Sequence, residues 1–204
     1  MHLELLQTQS SASSRLKLGN TDVQCSVNGP ADTPSSSQIP NKAFVTVEVT
    51  QSNQKDVLCQ ARLVSFFTGV IDLHKYPRSV INLSFHVFSN DGSLLSSLIN
   101  VGYLSLMKAG ICLNSFAPAV TLAVTTSSFI TDPDLETETS ASSVLTIALN
   151  PVGQITSADP HVHYLTVERD FDHSNLKSCV SSIVPILAER RELFRGVLST
   201  NSIL

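Results

Sequence analysis

The chain has 204 residues, of which 42% are hydrophobic and only 15% are charged, and its formal net charge is −4. This length and apolar content are enough for the core of one domain, and we expect a single domain over residues 1–204. The acidic balance excludes a global basic field that would attract nucleic acid, so any RNA contact has to be local or shared with neighbouring chains. An average soluble protein has roughly 25% charged residues, so we also expect other chains to cover part of this surface.

The compartment is predicted from two further features. No apolar run reaches the roughly 18 residues that a membrane-spanning helix needs, and the opening MHLELLQTQS lacks the basic and apolar regions of a secretory signal. We therefore expect an intracellular protein without a membrane anchor. Widely spaced cysteines without a CxxC pair are typical of reduced, buried thiols. They are Cys25, Cys59, Cys112 and Cys179.

The predicted elements alternate between strands and helices along the chain. Strands are predicted, in chain order, at 14–18, 22–27, 43–49, 80–88, 117–124, 144–149, 154–157 and 163–167. Helices are predicted at 58–73, at Leu94–Lys108 and from 175 to about 198. This order is typical of an α+β protein with helices packed on a mixed sheet.

Turn residues divide these elements. Gly19-Asn20-Thr21 joins the first two strands into a hairpin that ends at Asn28-Gly29-Pro30. An acidic, Ser/Thr-rich link covers 131–143, and a reversing turn is predicted at 150–153. Pro185 is expected to kink the last helix or to mark a restart, because proline removes a backbone donor.

The segment 89–124 is the most informative part of the sequence. It contains a tight Asp91-Gly92 turn, Ser93 as a candidate N-cap, and the almost wholly apolar helix Leu94–Lys108. Gly110 is placed to end that helix. Because the helix has so little polar face, we expect it to be covered on both sides, by its own sheet and by something else.

With these elements in order, the chain resembles the ribonuclease PH family, and within it the ring-forming core subunits of the eukaryotic RNA exosome. Three blocks carry the resemblance. They are SASSRLKLGNTDVQCSVNGP, LHKYPRSVINLSFHVFSNDGSLLSSLINVGYLSLMKAGICLNSFAPAVTLAV, and the DP–acidic–TIALNP–G–I block over 132–155. The resemblance implies an α+β, ribonuclease PH-like fold (ribosomal protein S5 domain 2-like), in which helices pack on a mixed sheet. The DGSLL pattern is similar to that of a non-catalytic ring subunit.

Active members of that family cleave RNA from its 3′ end by phosphorolysis. Inorganic phosphate attacks the terminal linkage and releases a nucleoside diphosphate. The chemistry needs cations and the backbone donors of a helix N-terminus to hold the phosphate. It also needs paired carboxylates, for a divalent metal or for proton transfer.

The resemblance places the family's site residues on positions where this sequence departs from the pattern. The phosphate-binding arginine of a Gly-Thr-Arg turn falls on Leu94 or Leu95, so that cation is absent. A second phosphate arginine falls near Lys55, which keeps the charge but loses the planar, two-pronged fork. Two family aspartates fall on Asp132 and Glu138. Because phosphate is the nucleophile, losing its clamp predicts an inactive phosphorolytic site.

Two other patterns concern metals. The carboxylates within 132–138 are oxygen ligands of the kind that Mg²⁺ prefers, and a metal-dependent hydrolytic nuclease would not need the missing arginine. A solvated acidic loop is the favoured interpretation. His161 and His163 lie on one face of a predicted strand, but an exposed edge is favoured over a metal pair. The sequence therefore predicts neither a metal site nor a cofactor.

Two groups of basic residues are candidates for a functional role. By the resemblance, the first group lies toward the channel that the ring encloses, where phosphate contacts would be independent of RNA sequence; isolated surface cations are an equal alternative. These candidate RNA contacts are Lys55, Arg62, Lys75 and Arg78. The second group is predicted to form a small basic face on the last helix, which either contacts RNA or an acidic partner or is an exposed, solvated helix end. It consists of Arg190, Arg191 and Arg195.

The resemblance thus implies a non-catalytic structural subunit of the exosome ring, which completes the ring and supports 3′-to-5′ RNA processing and degradation. By the resemblance, its partners are other ribonuclease PH-like ring subunits, cap subunits of S1/KH type, and single-stranded RNA in the assembled channel. Its expected location is the nucleus, including the nucleolus, and the cytoplasm. Two alternatives stay open. One is a residual phosphorolytic or metal-dependent nuclease that uses Asp132 and Glu138, and the other is a homo-oligomeric binding protein outside the exosome.

Overall fold

The computed structural model describes residues 1–6, 12–32, 39–51, 54–125, 128–150, 162–169, 171 and 176–201. Within these ranges the strands are His2–Leu6 (β1), Ala12–Leu18 (β2), Thr21–Asp32 (β3), Phe44–Gln51 (β4), Gln54–Lys55 (β5), Ser79–Ser89 (β6), Ala119–Val124 (β7), Phe129–Thr131 (β8), Ser143–Leu149 (β9) and Val162–Glu168 (β10). The α-helices are Val57–Val70 (α1), Leu94–Lys108 (α2), Leu135–Ser140 (α3) and Leu176–Asn201 (α4).

The strands form two sheets. The larger has the order β1-β2-β3-β6-β4-β5 and is antiparallel except for β4 and β6, which run parallel and are connected through α1. The smaller has the order β10-β9-β7-β8 and is antiparallel throughout. The predicted α+β class and the mixed sheet are confirmed, and the second, antiparallel sheet is an addition to what the sequence predicted.

Helix α2 lies between these two sheets. Every residue from Leu95 to Leu106 is buried. The helix contacts β2 and β3 of the larger sheet on one side and β7 and β9 of the smaller sheet on the other. The cover that its composition requires is therefore supplied within the chain, and the apolar surface of α2 is not by itself evidence for a partner.

Close packing around α2 depends on a glycine and on satisfied polar groups. A Cβ atom on Gly102 would lie 2.4 Å from Cζ of the buried Phe67 ring, so only glycine fits there without movement of that ring. The Asn100 amide accepts from the Ala119 backbone N–H at 2.9 Å and donates to the Ala119 carbonyl at 2.8 Å. Buried polar side chains need such partners, because burial without them costs free energy.

The smaller sheet presents different side chains to its two faces. Ala119 and Ala148 belong to the hydrophobic cluster that contains α2. The other face carries larger side chains that pack against α4: Val120, Leu122, Val124, Leu145, Ile147 and Leu149 meet Cys179, Ile183 and Leu187. The chain therefore alternates sheet, helices, sheet and helix, and α4 covers the outer face.

Most predicted elements are confirmed with small shifts at their ends. Helix α2 has the predicted bounds, and Gly110 follows it with a φ of +70°. The Ile111 N–H donates to the Leu106 carbonyl at 3.1 Å, which closes the helix end as a glycine-terminated cap does. Helix α1 ends at Val70, earlier than predicted, and a 3₁₀ turn follows at Leu73–Lys75.

Other details differ from the predictions. Strand β3 continues past Gly29-Pro30 to Asp32 with a shift of register against β6. Helix α4 runs through Pro185 as one helix, so no restart occurs there. The elements β1, β5, β8 and α3 were not predicted. The predicted strand at 154–157 and most of the turn at 150–153 lie outside the described residues.

Two further findings concern the helices and the cysteines. None of the described helices combines the length and the apolar character needed to cross a membrane. All four cysteines are free thiols; Cys25 and Cys179 are buried, whereas Cys59 and Cys112 are half-buried.

Candidate functional site

The turn that begins α2 packs directly against the segment that precedes α3. Gly92 has a φ of +94°, and a Cβ atom on it would lie 2.5 Å from the Pro133 carbonyl oxygen. The Thr21 hydroxyl donates to the Gly92 carbonyl at 2.7 Å and accepts from the Asp91 N–H at 2.9 Å. Glycine is required here by both the backbone conformation and the close approach.

Ser93 does not cap α2 in the predicted way. Its φ is +53°, in the left-handed region, and its side chain makes no capping hydrogen bond to the helix. The hydroxyl donates instead to the Pro133 carbonyl at 2.9 Å. The Ser93 carbonyl accepts from the hydroxyls of Ser96 at 3.0 Å and Ser97 at 2.9 Å. The side chain is diverted because the 132–135 segment lies against the turn.

The Glu138 carboxylate lies at the α2 N-terminus. One of its oxygens accepts from the Ser93 backbone N–H at 2.6 Å. Helix α3 places it there, and the Asp134 carboxylate caps α3 by accepting from the Thr137 N–H at 2.9 Å. Burial raises the pKa of Glu138, while the Ser93 N–H acts in the opposite direction. A carboxylate of this chain thus occupies the end of the helix that attracts anions.

Asp132, the other candidate carboxylate, faces a different partner. Its backbone has a φ of +52°, and its N–H donates to the Thr121 carbonyl at 2.9 Å. One carboxylate oxygen accepts from the Arg190 guanidinium. The other oxygen is buried without a hydrogen-bond partner among the described residues. Asp132 and Glu138 therefore bind different groups.

Arg190 corrects the prediction of an exposed basic face on α4. It is only 4% exposed, and its Nη1 donates to the Ala119 carbonyl at 2.5 Å. The sequence contained a signal for the burial of Arg190, because this residue lies at the helical spacing of the buried residues of α4. That buried stripe is Cys179, Ile183, Leu187, Arg190 and Phe194.

The other two arginines lie nearer the surface. Arg191 is half-buried, and Arg195 is exposed and forms an ion pair with Glu192 at 3.0 Å. Both line a cavity of about 250 Å³ together with Phe116, Asn150 and side chains of α2 and α4. The predicted group of three is thus divided between the interior and the surface.

The first turn of α2 offers apolar side chains where the resemblance puts a phosphate-binding arginine. Leu95 is 9% exposed and belongs to the core, and Leu94 packs against that core from a half-buried position. Whichever leucine matches the family position, its side chain is committed to packing.

The donor set does not fit the divalent metal that the family chemistry implies. No group of three or more His, Cys, Asp and Glu among the described residues is placed to hold a metal ion. Asp132 pairs with a guanidinium, and Glu138 accepts from a backbone amide. Mg²⁺ requires several oxygen ligands around one point. His161 and the side chain of His163 lie outside the described part of the structure.

The four candidate RNA contacts do not form one cluster. Lys55 comes before α1, where its backbone pairs with Thr50 of β4, and Lys75 and Arg78 come after it. A helix of 14 residues is about 21 Å long, so α1 separates the two positions.

Two of these cations also have partners within the chain. Arg62 of α1 forms an ion pair with Glu168 of β10 at 2.9 Å, and Lys75 pairs with Asp72 at 3.2 Å. Arg78 is exposed. As RNA contacts, all four remain a prediction.

Comparison with known proteins decides the family. Residues 1–112, more than half of the chain, match the model of the 3′ exoribonuclease family, domain 1. The chain belongs to the ribonuclease PH family. Among its relatives, the exosome complex component ski6 of Schizosaccharomyces pombe is 30% identical over 158 residues, which cover 71% of this chain and 65% of that protein. The exosome complex component rrp46 of the same yeast is 33% identical over 118 residues, covering 55% of this chain and 52% of the relative. The matched region is thus less than two thirds of the length of these ribonuclease PH-like relatives.

Solved structures agree on the ribonuclease PH-like fold. Rice Rrp46 superposes with a TM-score of 0.87 at 20% identity, and the alignment covers 97% of this chain and 94% of the rice chain. An archaeal exosome core chain gives a TM-score of 0.73 at 16% identity, covering 95% and 86% of the two chains. At these identities the likeness establishes the fold alone.

Proposed function

We infer that this ribonuclease PH-like chain is a non-catalytic structural subunit of an RNA exosome ring, in which it supports 3′-to-5′ RNA processing and degradation. Its relatives in fission yeast are named as exosome complex components. The fold that it shares with the archaeal exosome core supports the same assignment.

The contact between Glu138 and Ser93 carries the non-catalytic part of the proposal. Phosphorolysis needs a phosphate dianion at the start of α2, where backbone N–H groups would hold it. At this place a carboxylate of the chain already accepts from Ser93, and it would repel a second anion. Leu94 and Leu95 supply no cation to offset that repulsion. The chain therefore lacks the means to bind its nucleophile.

The expected partners follow from the same assignment. They are other ribonuclease PH-like ring subunits, cap subunits of S1/KH type, and single-stranded RNA that passes through the assembled channel. The chain would complete the ring and help to line the channel, in the nucleus, including the nucleolus, and in the cytoplasm. Among the candidate RNA contacts whose side chains the structure describes, Lys75 and Arg78 are exposed, which supports a local rather than a global RNA interaction.

A phosphorolysis assay tests the absence of catalysis. The purified chain is incubated with single-stranded RNA that has a free 3′ end, Mg²⁺ and inorganic phosphate, and released nucleoside diphosphates are measured. We expect no release, beside an active member of the family as control.

Release that requires phosphate and disappears in the Asp132→Asn variant would overturn the proposal. Cleavage that is independent of phosphate but requires Mg²⁺ would identify a hydrolytic nuclease instead. The Glu138→Gln variant removes the repelling charge while its amide oxygen can still accept from Ser93. Phosphorolysis by this variant and not by the wild type would show that the charge of Glu138 is what prevents phosphate binding.

A further inference from the structure

A buried arginine lies against the aspartate that matches the family's acidic site. The Arg190 side chain is 5% exposed and that of Asp132 is 21% exposed, so their ion pair is largely removed from water. Arg190 also donates to the Ala119 carbonyl, which accepts from Asn100 of α2 as well. A guanidinium held in this way has a fixed position and orientation.

Burial of this kind makes the pair a permanent one. Removing a single charge from water is costly unless its counter-ion stays in contact. Arg190 therefore needs Asp132, and Asp132 needs a cation at the position that the guanidinium fills. A hydrated divalent ion would have to displace a side chain that is anchored at Ala119 of β7 and at Asp132, the residue after β8.

The second carboxylate of the family pair does not contribute to this place. Glu138 accepts from the Ser93 N–H at the start of α2, whereas Arg190 bonds at Ala119, the first residue of β7. The oxygen ligands that would be needed around one metal ion are thus divided between two sets of partners.

We propose that the Arg190 guanidinium stands in for the divalent cation at the family's acidic site. The exchangeable ion is replaced by a fixed cation of α4, and the Asp132 carboxylate, in place of binding a metal, holds α4 against the smaller sheet through its ion pair with Arg190. The inference deepens the proposed function and rests on it for the placement of the family aspartate on Asp132. It predicts that the chain folds and remains stable without any divalent metal.

Manganese binding provides the first test, because Mn²⁺ is seen by electron paramagnetic resonance and replaces Mg²⁺ at oxygen-rich sites. For the wild-type chain, we expect the signal of free Mn²⁺ to be unchanged by protein and the unfolding midpoint to be unchanged by millimolar Mn²⁺. Binding by the wild type that disappears in Asp132→Asn would overturn the proposal.

The Arg190→Gln variant provides the second test. It removes the cation and leaves Asp132 with a vacant partner position. We expect its unfolding midpoint to fall by roughly 10 °C. We expect Mn²⁺ to raise that midpoint again, because the Asp132 carboxylate and the Ala119 carbonyl, both freed from the guanidinium, can then bind an ion whose other ligands are water. The double variant Arg190→Gln/Asp132→Asn should lose the response to Mn²⁺. A folded Arg190→Gln variant that neither binds nor responds to Mn²⁺ would contradict the stand-in role.

Arg195→Gln is the matched control. It removes the same charge from the same helix at an exposed position, so it should leave both the midpoint and the absence of Mn²⁺ binding unchanged. Should Arg190→Gln fail to fold, Arg190→Lys keeps the charge and should fold without binding Mn²⁺; Mn²⁺ binding by that variant would contradict the proposal.

The Mn²⁺ measurements are independent of the phosphorolysis assay. Release of nucleoside diphosphates by the wild type without Mn²⁺ binding would overturn the proposed function and leave the role of Arg190 standing. Mn²⁺ binding by the wild type without release of nucleoside diphosphates would overturn the role of Arg190 and leave the proposed function standing.

Discussion

Helices α2 and α4 pack on opposite faces of the smaller sheet, and they bury very different sets of residues. Helix α2 is buried through twelve successive positions, and its polar side chains there are neutral. Helix α4 buries one stripe, but that stripe includes the charged Arg190, and its outer side exposes Leu193 and Arg195. Helix α2 thus shows how an apolar surface is covered within the chain. Helix α4 shows how a buried charge is paired within the chain.

The difference changes what composition says about partners. The low overall charge was expected to reflect contacts with other chains, and the apolar content of α2 to require cover by its own sheet and by something else. The second sheet covers the apolar surface of α2, and Asp132 neutralises the buried charge of Arg190. The case for a ring subunit therefore rests on family membership and on the state of the site, more than on a surplus of apolar residues.

The largest effect is expected when the interior of α2 is compared with the exterior of α4. Leu98→Ala removes a side chain with no exposure and leaves a cavity between the sheets, so we expect a loss of about 2 to 5 kcal/mol in the free energy of unfolding. Leu193→Ala, at a position that is 43% exposed, should change it by less than about 0.5 kcal/mol. Urea denaturation measures both. Equal losses would mean that the exposed side of α4 is buried in solution.

An intermediate effect is expected at the polar link between α2 and the smaller sheet. Asn100→Ala leaves the Ala119 N–H buried without its partner, while the Ala119 carbonyl keeps Arg190. We expect the free energy of unfolding to fall by about 2 kcal/mol, measured again by urea denaturation. Asn20→Ala removes an exposed hydrogen bond to Asp91 and is the control, with a loss below about 0.5 kcal/mol. A negligible loss at Asn100 would show that α2 is fixed by packing alone.

The smallest effect concerns Glu138 and depends on pH. Its folded-state pKa is raised above 4.5 because burial disfavours the charged form. Its contribution to stability is therefore fully present below 4.5 and is lost as the pH rises through the folded-state pKa. The glutamine of the Glu138→Gln variant does not titrate. From acid to neutral pH, the free energy of unfolding of this variant should therefore rise relative to that of the wild type, by less than about 1 kcal/mol.

Thermal unfolding as a function of pH measures that difference. Glu136→Gln removes the same charge from an exposed position of α3 and controls for the change in net charge. A wild type that gains stability relative to Glu138→Gln as the pH rises would contradict the burial of this carboxylate.

The sequence predicted α2 to the residue, because a long apolar run with a glycine stop is a local signal. It did not predict β1, β5, β8 or α3. Strand β8 has only three residues, all exposed, and exists through pairing with β7. Helix α3 has six residues and depends on the Asp134 cap, so a polar run gave little periodicity to detect.

The candidate site was predicted only in part. The resemblance assigned Leu94, Asp132 and Glu138 to the site, and that assignment stays a prediction. Spacing along the chain could not tell which partner each carboxylate meets. Ser93 was misassigned as a side-chain cap because the segment that diverts its hydroxyl lies about 40 residues away. Arg190 was assigned to the surface because charged residues are almost always exposed, although its helical spacing matched the buried stripe.

Ring assembly tests the central claim most directly. The chain is mixed with ribonuclease PH-like ring subunits of an exosome, and the products are weighed by native mass spectrometry. We predict a six-membered ring that contains this chain and does not form when it is left out. A stable homo-oligomer that takes up none of the partner subunits would contradict the account, and would identify the chain as a binding protein outside the exosome.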